Sequence, residues 1–130
     1  MKGYIINIEK ETKENIDFRR VLYTARNSQL VLMNIMPGEE IGEETHGLDQ
    51  FIRFETGKGR VVWDDIEHDV EGEYAVVIPA RTKHNVVNTG NAELKLYTIY
   101  SPPEHRDGVV HKTKKEALTD DEHFNGKTTE

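Results

Sequence analysis

Residues 37–59, PGEEIGEETHGLDQFIRFETGKG, decide how the chain folds. Pro37-Gly38 stops one extended run, because Pro presets the first central position of a turn and Gly accepts positive φ at the next. Thr56-Gly57-Lys58-Gly59 makes a second turn. Between them Gln50, Ile52 and Phe54 share one phase, and Arg53 and Glu55 take the other. An apolar phase facing a charged one is the pattern of a half-buried strand, so Gln50 points inward. A buried amide needs partners, and a metal ion is one candidate. Glu44 and His46 continue the even-numbered phase, so in an extended chain they lie on the same face as Gln50.

Working outward, the same reading gives strands on both sides. Gly3 to Ile8 is apolar and β-branched and predicts a first strand. Glu9 to Asp17 predicts a loop or a loose helical turn. Phe18 to Thr24 and Gln29 to Met36 follow as strands, joined by the turn-rich Ala25-Arg26-Asn27-Ser28. Beyond Gly59, Arg60 to Trp63 and Ile66 to Val70 predict a hairpin around Asp64-Asp65. Tyr74 to Ile78 is a continuous apolar run, expected to be buried on both faces and ended by Pro79. His84 to Asn88 and Leu94 to Tyr100 complete the series. About nine short strands with regular turn signals are the pattern of an all-β sandwich or barrel.

From Lys112 the chain becomes almost wholly polar. Thr113 with Glu116 is a capping-box pattern, which predicts one or two helical turns near Lys114 to Leu118, and the last dozen residues are expected to fray. The expected organisation is one barrel domain over residues 1–111, with its N-terminal strand, and a polar tail over 112–130, helical in part or disordered.

The 130 residues carry 17 Lys plus Arg against 24 Asp plus Glu, a formal net charge of −7. That balance argues against a nucleic-acid partner and against attraction to an anionic membrane. With no cysteine, thiolate nucleophiles, disulfides and sulfur-ligated metals are excluded. Any metal must use nitrogen and oxygen. No stretch has the length of a signal peptide's or a membrane span's apolar run, and the expectation is a soluble, cytoplasmic protein.

Two gapped motifs now stand in order. Gly38, five residues, Glu44, Thr45, His46, three residues, Gln50, six residues and Gly57 match the first motif of the cupins from end to end. Glu44 stands where the first His is usual and Gln50 where Glu is usual. Pro79 to His84 to Asn88 matches the spacing of the second motif, with one extra residue after Gly72 and Arg81 in place of a glycine. The chain thus resembles the cupin superfamily of double-stranded β-helix, or jelly-roll, barrels. It is most similar to the small single-domain cupins that resemble phosphomannose isomerase.

The resemblance implies that Glu44, His46, Gln50 and His84 converge on one divalent metal ion: Zn, Fe, Mn or Ni. It implies a metal-dependent enzyme acting on a polar small molecule, such as a sugar or sugar acid, by isomerisation, lyase chemistry or dioxygenation. A non-catalytic binding or sensing cupin and a metal-free structural dimer are the alternatives. Arg81 is the candidate for an anionic group of the substrate at the pocket rim. Single-domain cupins commonly pair through edge strands, and the apolar run Gly3 to Ile8 makes a homodimer the expectation. Asp49 is expected to be an exposed turn residue, Asn88 to close a turn and His68 to pack. His105 and His111 are expected in a surface loop, and His123 in a tail without chemistry. Trp63, Tyr97 and Tyr100 are expected in core or dimer packing, with Tyr97 and Tyr100 on opposite faces. Tyr23, Met33, Met36, Phe51 and Phe54 are further core candidates.

Overall fold

The computed structural model describes residues 2–130 and is built almost wholly of antiparallel strands. These are β1 (Arg19–Thr24), β2 (Gln29–Ile35), β3 (Asp49–Thr56), β4 (Lys58–Trp63), β5 (Ile66–Glu71), β6 (Ala75–Ile78), β7 (His84–Asn88), β8 (Leu94–Ser101) and β9 (Val110–His111). One sheet has the order β6-β3-β8-β2-β1-β9 and the other β5-β4-β7. The two face each other across the core as a jelly-roll barrel, the all-β architecture expected. Isolated bridges Glu40 to Val87 and Glu44 to His84 lay the 38–46 segment along β7 and extend the smaller sheet.

Alternation places the core. Ile52 and Phe54 of β3, Leu94 and Leu96 of β8, Val31, Met33 and Ile35 of β2, and Val61 and Val86 of the second sheet are all fully buried. At ~25 cal/mol per Å² of apolar surface removed from water, such side chains each contribute about 2 kcal/mol. Gly57 closes the first motif with φ +95°, where a Cβ would stand 2.6 Å from the Glu93 carbonyl oxygen. Only glycine fits that crossing.

Four expectations are corrected. Gly3 to Ile8 is not a strand. The free side of β1 is taken by β9, and the run gives way to helix α1 (Ile8–Glu14), capped by the Asn7 side chain on Lys10 N and braced by Glu9–Lys13. Ile5 is fully exposed. β6 is not buried on both faces: it is an edge strand, and Val77 stands 64% exposed on its outer side. Met36 lies past the end of β2 and is exposed, so it is not core.

The 112–130 segment, finally, has the expected helical turns, but its last dozen residues do not fray. It forms helix α2 (Lys114–Leu118), with the Thr113 side chain accepting from Glu116 N as the capping pattern requires. It then runs back across the barrel, where Phe124 N donates to Glu104 O and Thr129 N to Thr24 O.

Candidate metal and ligand site

The two motifs meet directly. Glu44 N donates to His84 O at 2.8 Å and His84 N to Glu44 O at 2.9 Å. A mutually bonded antiparallel pair presents both side chains on one face. His46 follows two residues on, and its carbonyl accepts Arg81 N at 2.7 Å, so the second-motif turn clamps the first. Arg81 takes φ +67° there, the conformation that the motif's glycine would supply. The backbone of Arg81 is part of the site, while its residue as a whole is exposed.

The imidazoles of His46 and His84 lie with ring centroids 5.4 Å apart. Two imidazoles sharing one ion at ~2.1 Å leave their centres about 5 Å apart, so the spacing suits a common ligand. His84 Nδ1 is 2.8 Å from Thr82 O and donates to it, which leaves Nε2 as the free lone pair. His46 Nδ1 faces Glu104 Oε2 at 3.5 Å and its Nε2 faces Glu44 Oε2 at 3.2 Å, but Nε2 has no aligned hydrogen bond. Burial pushes the Glu44 carboxyl up and the His46 ring down. Their close approach and opposite charges outweigh this in both, so Glu44 ends below and His46 above its usual range.

Gln50 is buried among Ile52 and Tyr100 as its phase requires. Its Nε2 donates to Thr98 Oγ1 at 3.1 Å, and its Oε1 has no partner. Among the described residues no three His, Asp or Glu side chains form a metal-ligand set. A set of three donors therefore needs the Gln50 amide oxygen beside the two imidazoles. The unpartnered Gln50 Oε1 and a His46 Nε2 that meets only the Glu44 carboxylate fit an ion that prefers nitrogen and oxygen.

Around this centre stand residues that sequence reasoning placed outside. His105 and His111 are not surface-loop residues: they are 6% and 4% exposed. The Tyr100 ring meets His46 edge-on at 5.9 Å and His105 at 5.2 Å. His105 Nδ1 is 2.8 Å from Glu122 Oε2, and its Nε2 is buried without a partner. Burial holds the His105 ring below the usual range despite Glu122 beside it. His111 Nε2 lies 2.9 Å from Asp120 Oδ2, and its Nδ1 lies 3.2 Å from Arg19 Nη1. The polar tail thus supplies two carboxylates that orient two buried imidazoles. The one signal available in the sequence was the excess of acidic residues between Asp120 and Glu122 after two isolated histidines.

Asp49 is exposed as expected, but it opens β3 instead of lying in a turn, and its Oδ1 accepts from Ala80 N. Asn88, His68, Tyr97 and Tyr100 stand as expected. Asn88 ties Ile35 O, Ala92 O and Gly90 N. His68 stacks on Trp63 at 4.0 Å. Tyr100 is buried inside while Tyr97 meets Phe51 on the opposite face.

A jelly-roll barrel with imidazoles gathered at one mouth is the architecture of a cupin. The cupin domain model matches residues 31–100, more than half of the chain, and the chain belongs to that family. It is 44% identical over 124 residues to the uncharacterized protein YrkC of Bacillus subtilis, covering 90% of this chain and 67% of that protein. It is 41% identical to the uncharacterized protein L612 of Acanthamoeba polyphaga mimivirus, over 82% of this chain and 70% of that one. The crystal structure of BH2720 from Bacillus halodurans superposes with a TM-score of 0.89 at 48% identity, covering 92% of this chain and 96% of that one.

Proposed function

We propose that this small cupin holds one divalent metal ion, Zn, Fe, Mn or Ni, on His46, His84 and Gln50, with Glu44 joining as fourth ligand when it leaves His46 Nε2, and offers it to a polar small molecule such as a sugar or sugar acid. The observation that carries the reading is the buried Gln50 Oε1, which has no partner, beside a His84 imidazole with a free Nε2 and a His46 Nε2 that meets only the Glu44 carboxylate. A buried polar atom without a partner costs ~1–3 kcal/mol, and a shared cation removes that cost. When bound, the ion supplies Lewis-acid polarisation or oxygen activation, the chemistry of an isomerase, lyase or dioxygenase.

The chain's own residues supply orientation and proton handling. Burial raises the Tyr100 hydroxyl far above its usual range, so it stays a hydrogen-bond donor. His105, held by Glu122, is the residue placed to take a proton: its Nδ1 is oriented, its ring neutral at pH 7 and its Nε2 free. The protein is taken to act in the cytoplasm as a homodimer. With the Gly3 to Ile8 strand gone, the edge for pairing is β6.

Elemental analysis of protein purified without added metal tests the central claim. About one equivalent of a single divalent metal is expected, falling about tenfold or more in H46A and in H84A. Wild-type content no higher than that of the H46A/H84A double variant overturns it.

A further inference from the structure

We propose that Arg19 anchors a carboxylate of the ligand, and that the barrel mouth therefore takes a small monocarboxylic acid. The inference rests on the reading that this mouth binds a small molecule, and it does not require the metal.

Arg19 opens β1 and is 8% exposed. It lines a cavity of about 300 Å³ between the barrel mouth and the C-terminal segment, together with Glu44, Glu104, His105, Asp120 and Glu122. Each of these carboxylates is engaged by an imidazole. Glu44 faces His46 at 3.2 Å, Glu122 faces His105 at 2.8 Å and Asp120 faces His111 at 2.9 Å. Glu104 faces His46 at 3.5 Å and His123 at 3.3 Å.

The guanidinium has no such counterpart. Its one hydrogen bond among the described residues runs from Nη1 to His111 Nδ1, and its Nε is buried with no acceptor. Asp120 holds the His111 proton on Nε2, so Nδ1 is a neutral lone pair and not a counter-ion. Glu44 and Glu122 feel the guanidinium's charge across the cavity and it lies over the Phe18 ring, but no carboxylate closes on the fork, so most of its donors are left for a ligand. The planar fork of arginine matches a carboxylate in two parallel hydrogen bonds.

The surroundings select among anions. With Glu43 and Asp121, six carboxylates line the same cavity alongside Lys114, so a dianionic phosphate meets repulsion that a singly charged carboxylate meets only in part. At ~30 Å³ per water the cavity has room for about ten non-hydrogen atoms, the size of a hydroxy acid or a short sugar acid. Arg81 does not line this cavity, and it stands exposed on its turn.

The test uses the full chain stripped of metal with EDTA. The probes are sodium lactate and sodium gluconate, with glucose as neutral control and inorganic phosphate as dianion. Binding is read by the nitrogen-15 Nε–H resonance of Arg19 and by the thermal midpoint. The carboxylates are expected to move the Arg19 resonance saturably and to bind about tenfold or more tightly than glucose or phosphate. R19K, which keeps the charge and loses the fork, and R19Q lose that advantage about tenfold, while R20Q, at an exposed arginine outside the cavity, keeps it. The proposal is overturned if neither carboxylate outbinds glucose, if R19Q binds as wild type does, or if the Arg19 resonance stays still at saturation. Should R19Q not fold, R19K and the wild-type resonance still decide. A chain that purifies without metal yet binds lactate or gluconate through Arg19 keeps this inference and sinks the metal reading. A chain that loads metal while its Arg19 signal ignores carboxylates does the reverse.

Discussion

Two glutamines flank the same tyrosine. Tyr100 of β8 pairs with Gln29 of β2 on one side and with Gln50 of β3 on the other, so all three side chains share the inner face. Gln29 is 1% exposed and Gln50 is 4%. Gln29 is complete: Nε2 donates to Thr24 Oγ1 and His105 O, and Oε1 accepts from Glu104 N and His105 N. Gln50 donates once, to Thr98, and its oxygen accepts nothing. Residue type, level and burial are alike, and the surroundings differ. The region around Gln29 docks the 104–105 backbone onto the barrel and is closed. The region around Gln50 leaves an acceptor open. Buried polar atoms are normally satisfied, and in the proposed function the open oxygen is a ligand's place while the closed amide is a fastening.

The largest effect expected is on the fastening. Q29L removes four hydrogen bonds and strands two N–H groups and a carbonyl in the interior. A loss of ~3 kcal/mol follows, with several degrees off the thermal midpoint. Amide hydrogen exchange at Glu104 and His105 should accelerate with it. A midpoint that barely moves would erase the distinction between the two glutamines.

The next effect tests whether the tail belongs to the same fastening. Glu122 accepts from Arg106 N at 2.8 Å through Oε1 and binds His105 through Oε2. E122Q keeps the first contact and loses the charged one, for ~1.5–2 kcal/mol. Chemical denaturation reads this, and a value within ~0.5 kcal/mol of wild type would mean that the tail only lies on the surface.

The same pair carries a pH signature. Burial holds His105 below its unfolded value of ~6.5, so below that pH the unfolded chain binds the extra proton first. Stability from this ring is therefore present near pH 7 and declines as pH falls below ~6.5. Burial raises Glu122, but its bond to His105 outweighs this and its carboxyl ends lowered. Its contribution is thus lost further down, as pH falls below ~4.5 through its depressed folded value. Thermal midpoints from pH 7.5 to 5 should drop in wild type and drop less in H105N.

The sequence was readable where alternation carries the information. β3 shows it best: Gln50, Ile52 and Phe54 lie inside, as period two requires. The convergence of Glu44 and His84 came from the resemblance, because no local pattern pairs residues 40 positions apart. Gly3 to Ile8 misled because an apolar β-branched run has no strand without a free edge, and β9 occupies that edge. Arg19, His105, His111 and Glu122 escaped for a different reason. Charged and polar residues are mostly exposed, and composition cannot reveal that acids in the tail pair with imidazoles 9 and 17 residues earlier. Arg19 stands beside Arg20, and nothing local says that one of the two is buried.

The smallest effect is the sharpest test of the comparison. Q50M replaces the amide by a flexible apolar chain of similar length and leaves no buried group stranded. Thr98 Oγ1 still donates to Phe51 O at 2.8 Å, and the lost acceptor had no partner to lose. In metal-stripped protein the variant should lie within ~0.5 kcal/mol of wild type or be more stable, because removing an unsatisfied polar atom from an interior is close to neutral or favourable. In protein purified with its metal, the same substitution should lower metal content. A Q50M chain as crippled without metal as Q29L would make both amides fasteners, and the open oxygen beside Tyr100 would lose its meaning as a place for a ligand.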